Sequence, residues 1–342
     1  MTMLTTGIIG CNGRIGRLHT ENMASRLPEG KLKYICDVKI EEAQALARRW
    51  GIPKCTANYQ DILHDPEVNA VLICTPTPTH VPYIMEAAKA GKHIFCEKPV
   101  DLSPQRIVAA IAATRQNKVK MQVGFMKRFD PEYSKLKEMM LNGSVGEPYI
   151  IRISSRDSAL PSPEYVNSSG GLFRDMTCHD FDLLRYLTES EINEVFALGS
   201  VRVAEYFHAA NDYDTAVISF RLQNGAIGCI DNSRKTNYGY DQRVELFGSN
   251  GCVIADHVKP THIVTLNENG MVTDKPKDWF MDRYAQAYLE EMRQFIEALL
   301  TDREPRVTAM DGLKAVLIAM AAQKSIEENR SVKVDYSLCA ES

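Results

Sequence analysis

Two rhythms of apolar and polar residues divide this chain near residue 125. Up to residue 124, short and nearly continuous apolar runs ("TTGIIGC", "KLKYICDV", "AVLICTP", "KHIFCEKPV", "KMQVGFM") alternate with stretches of helical periodicity ("RIGRLHTENMASRL", "EEAQALARRWG", "THVPYIMEAAKAG", "SPQRIVAAIAATRQNK"). Apolar strands without a polar face, separated by amphipathic helices, predict a doubly wound parallel sheet covered on both faces. Beyond residue 125 one helix, "PEYSKLKEMMLNG", precedes longer segments that alternate, such as "EPYIIRISSR", "EVFALGSVRVAEYF" and "TAVISFRLQNGAIGCIDNSR". Alternation implies one buried and one open face. The second half is therefore expected to be α+β, a large, open, mainly antiparallel sheet with helices on one face. Asn224-Gly225 and Asn269-Gly270 are expected to form type I′ hairpins. The uncovered face predicts homo-oligomerisation.

Length supports the same division: 342 residues suit two domains, placed at 1–124 and 125–342. With 25% charged residues and a net charge of −4, a broad nucleic-acid surface is not expected. No apolar run is long enough for a membrane span, and the first residues lack a signal-peptide pattern, so no membrane role is expected. The 9 cysteines stand singly, without a C-x-x-C pair, which predicts free thiols, a reduced cytoplasmic setting and no structural metal.

Parallel sheets bind ligands at the carboxyl ends of their strands. The first such end reads "GIIGCNGRIG", with Gly10, Gly13 and Gly16 spaced G-x-x-G-x-x-G, one residue longer than the usual dinucleotide turn. Asn12 is expected to carry the longer turn in a left-handed conformation and, with Gly13, to face a pyrophosphate; Arg14 and Ile15 open the following helix. Asp37 ends the second strand 21 residues after Gly16, where a carboxylate holds the adenosine ribose and repels a 2′-phosphate. NAD is thus the expected cofactor, with Lys39 close enough to soften the preference. Thr75, Pro76 and Thr77 form a rigid hydroxyl-bearing loop before Thr79, a helix cap, and His80, a surface or capping histidine. All but Thr79 are counted with the cofactor site, as is Glu97. Lys98, between Glu97 and Pro99 at the fifth strand end, is hard to explain as packing; it would donate to a substrate oxygen. In "DMTCHDFD", Asp175 and His179 are four apart, a spacing that places both on one helical face as an oriented general base.

Together "GRIGRLH", "CTPTPTH", "CEKPV", "GFMKRFDP" and "GGLFRDMTCHDFDLLRYL" resemble the Gfo/Idh/MocA oxidoreductases, most closely their inositol 2-dehydrogenase branch. The resemblance runs from the first strand to the last helix. It implies an NAD-binding Rossmann domain, a second domain whose open sheet forms dimers or tetramers, and oxidation of a ring or sugar secondary alcohol. It implies that Lys98 contacts nicotinamide and substrate, that His179 takes the hydroxyl proton, and that Asp175 binds substrate and tunes that base. Met126 and Arg128 would lie beside nicotinamide and substrate. Tyr238 and Tyr284 would surround the substrate, or else serve the core or an interface. Ser155 and Asp157 stand where inositol enzymes tend to carry His and Asn, which leaves the polyol open; the loop up to Asn167 is expected to be a mobile lid. The expected activity is NAD-dependent oxidation of myo- or scyllo-inositol. The alternatives are an aldose or anhydrosugar dehydrogenase, a lyase with tightly held NAD, and a non-catalytic NAD- or sugar-sensing protein.

Overall fold

The apolar runs of the first 124 residues become a six-stranded parallel sheet in the computed structural model, which describes residues 3–340. Strands β1 (Leu4–Ile9), β2 (Gly30–Cys36), β3 (Lys54–Thr56), β4 (Ala70–Ile73), β5 (His93–Glu97) and β6 (Met121–Gly124) stand in the order β3-β2-β1-β4-β5-β6. The intervening helices are α1 (Arg14–Ser25), α2 (Ile40–Trp50), α3 (Gln60–Leu63), α4 (His80–Lys89) and α5 (Pro104–Gln116). The edge strand β3 is absent from the apolar pattern because "KCT" offers only three residues, none of them fully buried. Strand order reverses between β1 and β4, the switch point at which open parallel sheets receive ligands.

The second half begins with α6 (Pro131–Leu141), β7 (Pro148–Arg156), α7 (Pro163–Ser169), α8 (Cys178–Thr188), β8 (Ile192–Ser200) and α9 (Tyr206–Ala209). There follow β9 (Thr215–Leu222), β10 (Ile227–Ser233), β11 (Asp241–Gly248), β12 (Gly251–Ala255), and the hairpin β13 (Val264–Asn267) and β14 (Gly270–Thr273). The chain closes with α10 (Phe280–Arg283), α11 (Ala285–Leu300), α12 (Ala309–Glu328) and β15 (Val332–Lys333). Seven strands pair in the order β12-β11-β7-β10-β9-β8-β15. Only β7 and β10 run parallel, so the sheet is mixed and mainly antiparallel. Alternation works as expected: along β9, Ala216, Ile218, Phe220 and Leu222 are buried while Val217, Ser219 and Arg221 are exposed. The long alternating run through residue 207 ends as a strand at Ser200 and turns into α9.

The hairpins differ from the type I′ expectation. Asn224 does not take positive φ; Gly225 alone does, at 91°. Its N–H donates to Leu222 O, and Leu222 N–H donates to Ala226 O, so a right-handed turn closes on a left-handed glycine. At the β13–β14 turn Gly270 again carries the positive φ and Asn269 does not.

The division into units is not a single cut at 124/125. The first unit runs to Met126 and also takes in Tyr288–Val316 and the chain from Tyr336; the second comprises Lys127–Ala287 and Leu317–Asp335. The cause is the apolar stripe of α11. Met292, Phe295 and Ile296 join Leu4, Ile8, Met23, Leu27, Leu32 and Phe95 in one buried cluster. Periodicity shows that a helix has an apolar face, but not which core that face completes.

Phe295→Ala is expected to destabilise the first unit by about 3–5 kcal/mol, the cost of a large cavity. Leu300→Ala, at the exposed end of the same helix, is expected to cost under about 0.5 kcal/mol. Urea unfolding of the two variants checks the contrast.

Candidate active site

At the end of β1 the chain must turn sharply and let α1 approach the sheet. Gly10 adopts φ 88°, and its N–H and that of Cys11 both donate to Cys36 O, at 2.8 and 3.2 Å. A Cβ on Gly10 would lie 2.8 Å from the Cys74 backbone, and one on Gly16 would lie 2.1 Å from Gly10 O. Gly10 and Gly16 are therefore sterically required. Gly13, with nothing closer than 3.7 Å to its would-be Cβ, is not. The left-handed residue is Gly10 rather than Asn12, so the expected role of Asn12 is corrected. Its carboxamide donates to Lys39 O at 2.9 Å, and its N–H donates to Asp37 Oδ2 at 2.9 Å. The extra residue thus ties the turn to the β2–α2 loop. Its side chain is committed there, while the backbone of Gly13, Arg14 and Ile15 opens α1 at its positive end. Asp37 also accepts from Lys39 N–H at 3.1 Å, and the Lys39 ammonium lies 3.6 Å from Glu42.

The ends of β4 and β5 are bound to each other. Thr79 stands at the N-cap position of α4, yet its hydroxyl donates backwards to Pro76 O or Thr75 Oγ1, each 2.7 Å away, and caps nothing. Thr77 opens the short turn between Pro76 and α4. His80 is not a surface histidine: it is 1% exposed, with Nε2 2.7 Å from Thr75 O and Nδ1 2.9 Å from Pro99 O. Burial lowers its pKa against the opposing effect of those two carbonyls. One imidazole therefore joins the threonine loop to the turn carrying Lys98, which is half-buried and precedes a cis proline. Glu97 faces inward, its Oε1 2.8 Å from His19 Nε2. Met126 closes the first unit, buried in a short turn that follows β6.

The second unit gathers its polar groups at the ends of β7 and β10 and on the turns before α8. Residues 173–177 form a π-helical turn, so Asp175 and His179 are not one ordinary α-helical turn apart. Such turns are frequent at functional sites. Asp175 is buried; Tyr165 O–H donates to its Oδ1 at 2.7 Å and Arg234 Nη1 lies 2.9 Å from its Oδ2. His179 is half-buried at the start of α8. Tyr165 belongs to α7, so the segment expected to be a lid contains a helix pinned to Asp175, with Ser162 as its N-cap. Arg234 was not foreseen. It is 4% exposed at its side chain and also lies 3.6 Å from Asp157. Burial alone would push its pKa down; Asp175, Asp157 and Asp212 more than reverse that and hold it charged. Burial pushes Asp157 up to about 6, with Arg234 opposing and Asp175 adding to the rise. One guanidinium thus stands among three carboxyl groups.

Two expected substrate residues are occupied elsewhere. Arg128 makes a two-point ion pair with Asp182, Nε to Oδ2 at 2.8 Å and Nη2 to Oδ1 at 2.6 Å, over the Tyr186 ring. Tyr284 is fully buried, its hydroxyl bonded to Gln242 Oε1 at 3.1 Å and to Tyr133 at 3.2 Å; burial raises its pKa. Tyr238 is 40% exposed and bonds Asp241 and Arg156 in a surface network. Ser155 is buried, accepting from Lys127 at 3.3 Å and donating to Gln242 at 2.9 Å.

Comparison with known proteins gives concordant results. Residues 4–125 match the family model described as an oxidoreductase family with an NAD-binding Rossmann fold. Residues 133–254 match the GFO/IDH/MocA C-terminal domain. The chain is 45% identical to an uncharacterized oxidoreductase of Bacillus subtilis, over 98% of its own length and 97% of that protein's. It is 43% identical to a myo-inositol 2-dehydrogenase of Thermotoga maritima, over 96% and 98% of the two chains. It superposes on the crystal structure of scyllo-inositol dehydrogenase from Lactobacillus casei with bound NAD(H) and scyllo-inositol at TM-score 0.90. In that pair, identity is 30% and coverage 97% and 99%.

Gly16→Ala is expected to destabilise the protein by about 1–3 kcal/mol through overpacking, and to weaken NAD binding; Gly13→Ala is expected to change stability by under about 0.5 kcal/mol. Thermal unfolding with and without NAD checks both.

Proposed function

The chain belongs to the GFO/IDH/MocA oxidoreductase family, and we propose that it oxidises a ring hydroxyl of a cyclic polyol, myo- or scyllo-inositol, to the ketone. NAD, when bound, supplies the hydride acceptor. The observation that carries the reading is full-length similarity to an inositol 2-dehydrogenase, supported by Lys98 directly after β5 and by Asp175 and His179 in the π-helical turn and at the start of α8.

The cradle fits the cofactor. Gly10 and Gly16 admit no Cβ, Cys11 is buried, and the side chain of Asn12 is held against Lys39 O. A pyrophosphate on Gly13, Arg14 and Ile15 would meet backbone amides at a helix start, and Asp37 would accept from the ribose hydroxyls. The ammonium of Lys39 is directed to Glu42, leaving the carboxylate to favour NAD over its 2′-phosphorylated counterpart.

His179 is assigned the hydroxyl proton, and Lys98 the hydrogen bond that stabilises the developing alkoxide. Arg234 pairs with Asp175, whose carboxyl group can accept from a substrate hydroxyl as well as from Tyr165. Asp157 adds a second acceptor once deprotonated above about pH 6. One cation among three acids suits a neutral substrate rich in hydroxyl donors and disfavours phosphorylated or carboxylated sugars.

The open face of the mixed sheet supports self-association into a dimer or tetramer. Leu198, Val217, Ile227, Phe247 and Ile254, on β8, β9, β10, β11 and β12, are each at least 40% exposed there, with Leu198 directly opposite Val217. A double variant, Leu198→Glu with Ile254→Glu, is expected to be monomeric by light scattering.

Lys98→Ala is expected to lower turnover by about 10²–10³-fold while NAD binding stays within a few fold. NADH formation over a panel of inositols, aldoses and anhydrosugars, with NAD titration of the variant, checks this; near-wild-type turnover would remove Lys98 from the mechanism. Turnover of aldoses but of no inositol would move the substrate.

A further inference from the structure

Behind the strand end that presents Lys98, the first unit buries three ionisable side chains together. They are His19 of α1, Glu97 at the end of β5 and Glu291 of α11, with one nitrogen or oxygen of each lying within 4.8 Å of the others. His19 and Glu291 are 0% exposed and Glu97 9%. The His19 ring is held edge-on to Phe95 and Tyr288, with Nε2 2.8 Å from Glu97 Oε1. Gly124, which pairs with Glu97, leaves the space its carboxyl fills: a Cβ there would lie 2.9 Å from Glu97 Oε2. Both oxygens of Glu291 are buried and accept no hydrogen bond among the described residues.

Two carboxylates this close, without solvent, cannot both be charged. An ionised Glu291 would have no donor among the described residues. Burial, then the charge of Glu97, pushes Glu291 well above the usual carboxylate range. The other titratable groups nearby do not supply a charge to reverse this. Cys74 and Cys96 are themselves pushed far up by burial and stay neutral, and the Tyr288 ring lies edge-on to His19. His19 is spoken for by Glu97, which leaves Glu291 to hold a proton.

We propose that Glu97 and Glu291 share one proton, carried on Glu291, while His19 fixes the Glu97 carboxylate, and that this triad positions Lys98, the next residue along the chain. Glu97 is the last residue of β5, so whatever fixes its side chain fixes the peptide from which Lys98 departs. His19, Glu97 and Glu291 are positioning residues and touch no reacting atom. The positioning half rests on the role given to Lys98; the shared proton does not.

Infrared spectroscopy of the full-length protein at pH 8 reads the shared proton. The wild type is expected to show a protonated-carboxyl C=O band that shifts in deuterated water, and Glu291→Gln, whose amide mimics the neutral acid, is expected to lack it. A wild type without the band, or a variant that keeps it, overturns proton sharing. So does a stoichiometric bound metal that Glu291→Gln loses, since a cation would use the same donors. Stability gives a second readout. A carboxyl whose folded pKa is raised contributes most below its unfolded value, about pH 4.3, and that contribution falls as pH rises, by up to tenfold in the unfolding equilibrium per pH unit. Glu291→Gln is expected to flatten this fall; an unchanged pH profile counts against the assignment. For positioning, His19→Leu is expected to lower kcat on the order of 10²-fold with NAD affinity nearly unchanged, and His19→Gln, which restores a donor to Glu97, to recover most of it. Equal losses in both variants, or none in His19→Leu, overturn the positioning role. Wild-type protein inactive on every polyol would sink the proposed activity and leave the infrared result standing.

Discussion

The contact between Gly16 and the carbonyl of Gly10 is the constraint on which the first unit turns. A Cβ at position 16 would sit 2.1 Å from that oxygen, so α1 can lie this close to β1 only with glycine there. The rest of α1 follows from that approach. Arg17 reaches the Asn12 carbonyl and Glu42, each at 2.9 Å, and His19, two residues further on, reaches Glu97. Moving the helix outward by the width of a methyl group would loosen the phosphate turn and the support under Lys98 together. One backbone approach thus serves two strand ends.

The second unit is organised by charge. Lys127, Arg128, Arg283 and Arg234 are all buried, and each faces an aspartate: Asp180 at 2.7 Å, Asp182 at 2.6 Å, Asp130 at 2.5 Å and Asp175 at 2.9 Å. Removing either partner of such a pair leaves an uncompensated buried charge, typically costing 3–5 kcal/mol. Three of these pairs come from the short run "GFMKRFDP", whose density of polar residues serves the scaffold. Arg234 also lies 3.6 Å from a second acid, the partly buried Asp157.

Strand ends in a parallel sheet are legible because a polar residue after an apolar run has few structural reasons to be there; Asp37 and Lys98 were found that way. The same rule applied to β10 would have singled out Arg234, which directly follows the strand, but the alternating pattern drew attention to faces instead of ends. Glu291 also left a signal. It falls on the apolar stripe of α11 with Ala287, Tyr288, Met292 and Phe295, and an acid on such a stripe is either paired or neutral. The burial of His80 and the pairing of Arg128 depend on partners far away in sequence, Pro99 and Asp182. Residue spacing cannot report which of two polar groups is already taken. The assignment of α11 to the first unit's core was out of reach for the same reason.

That assignment bears on how the protein is made. The ribosome delivers the six strands of the first sheet by residue 124, yet Phe295 and Ile296, which seal one face of its core, emerge only about 170 residues later. At roughly 5–20 residues per second, the nascent nucleotide-binding half would wait some ten to thirty seconds with Leu32, Phe95 and Met23 uncovered. During biosynthesis, then, the half that looks most autonomous in the sequence cannot close its core until α11 has emerged.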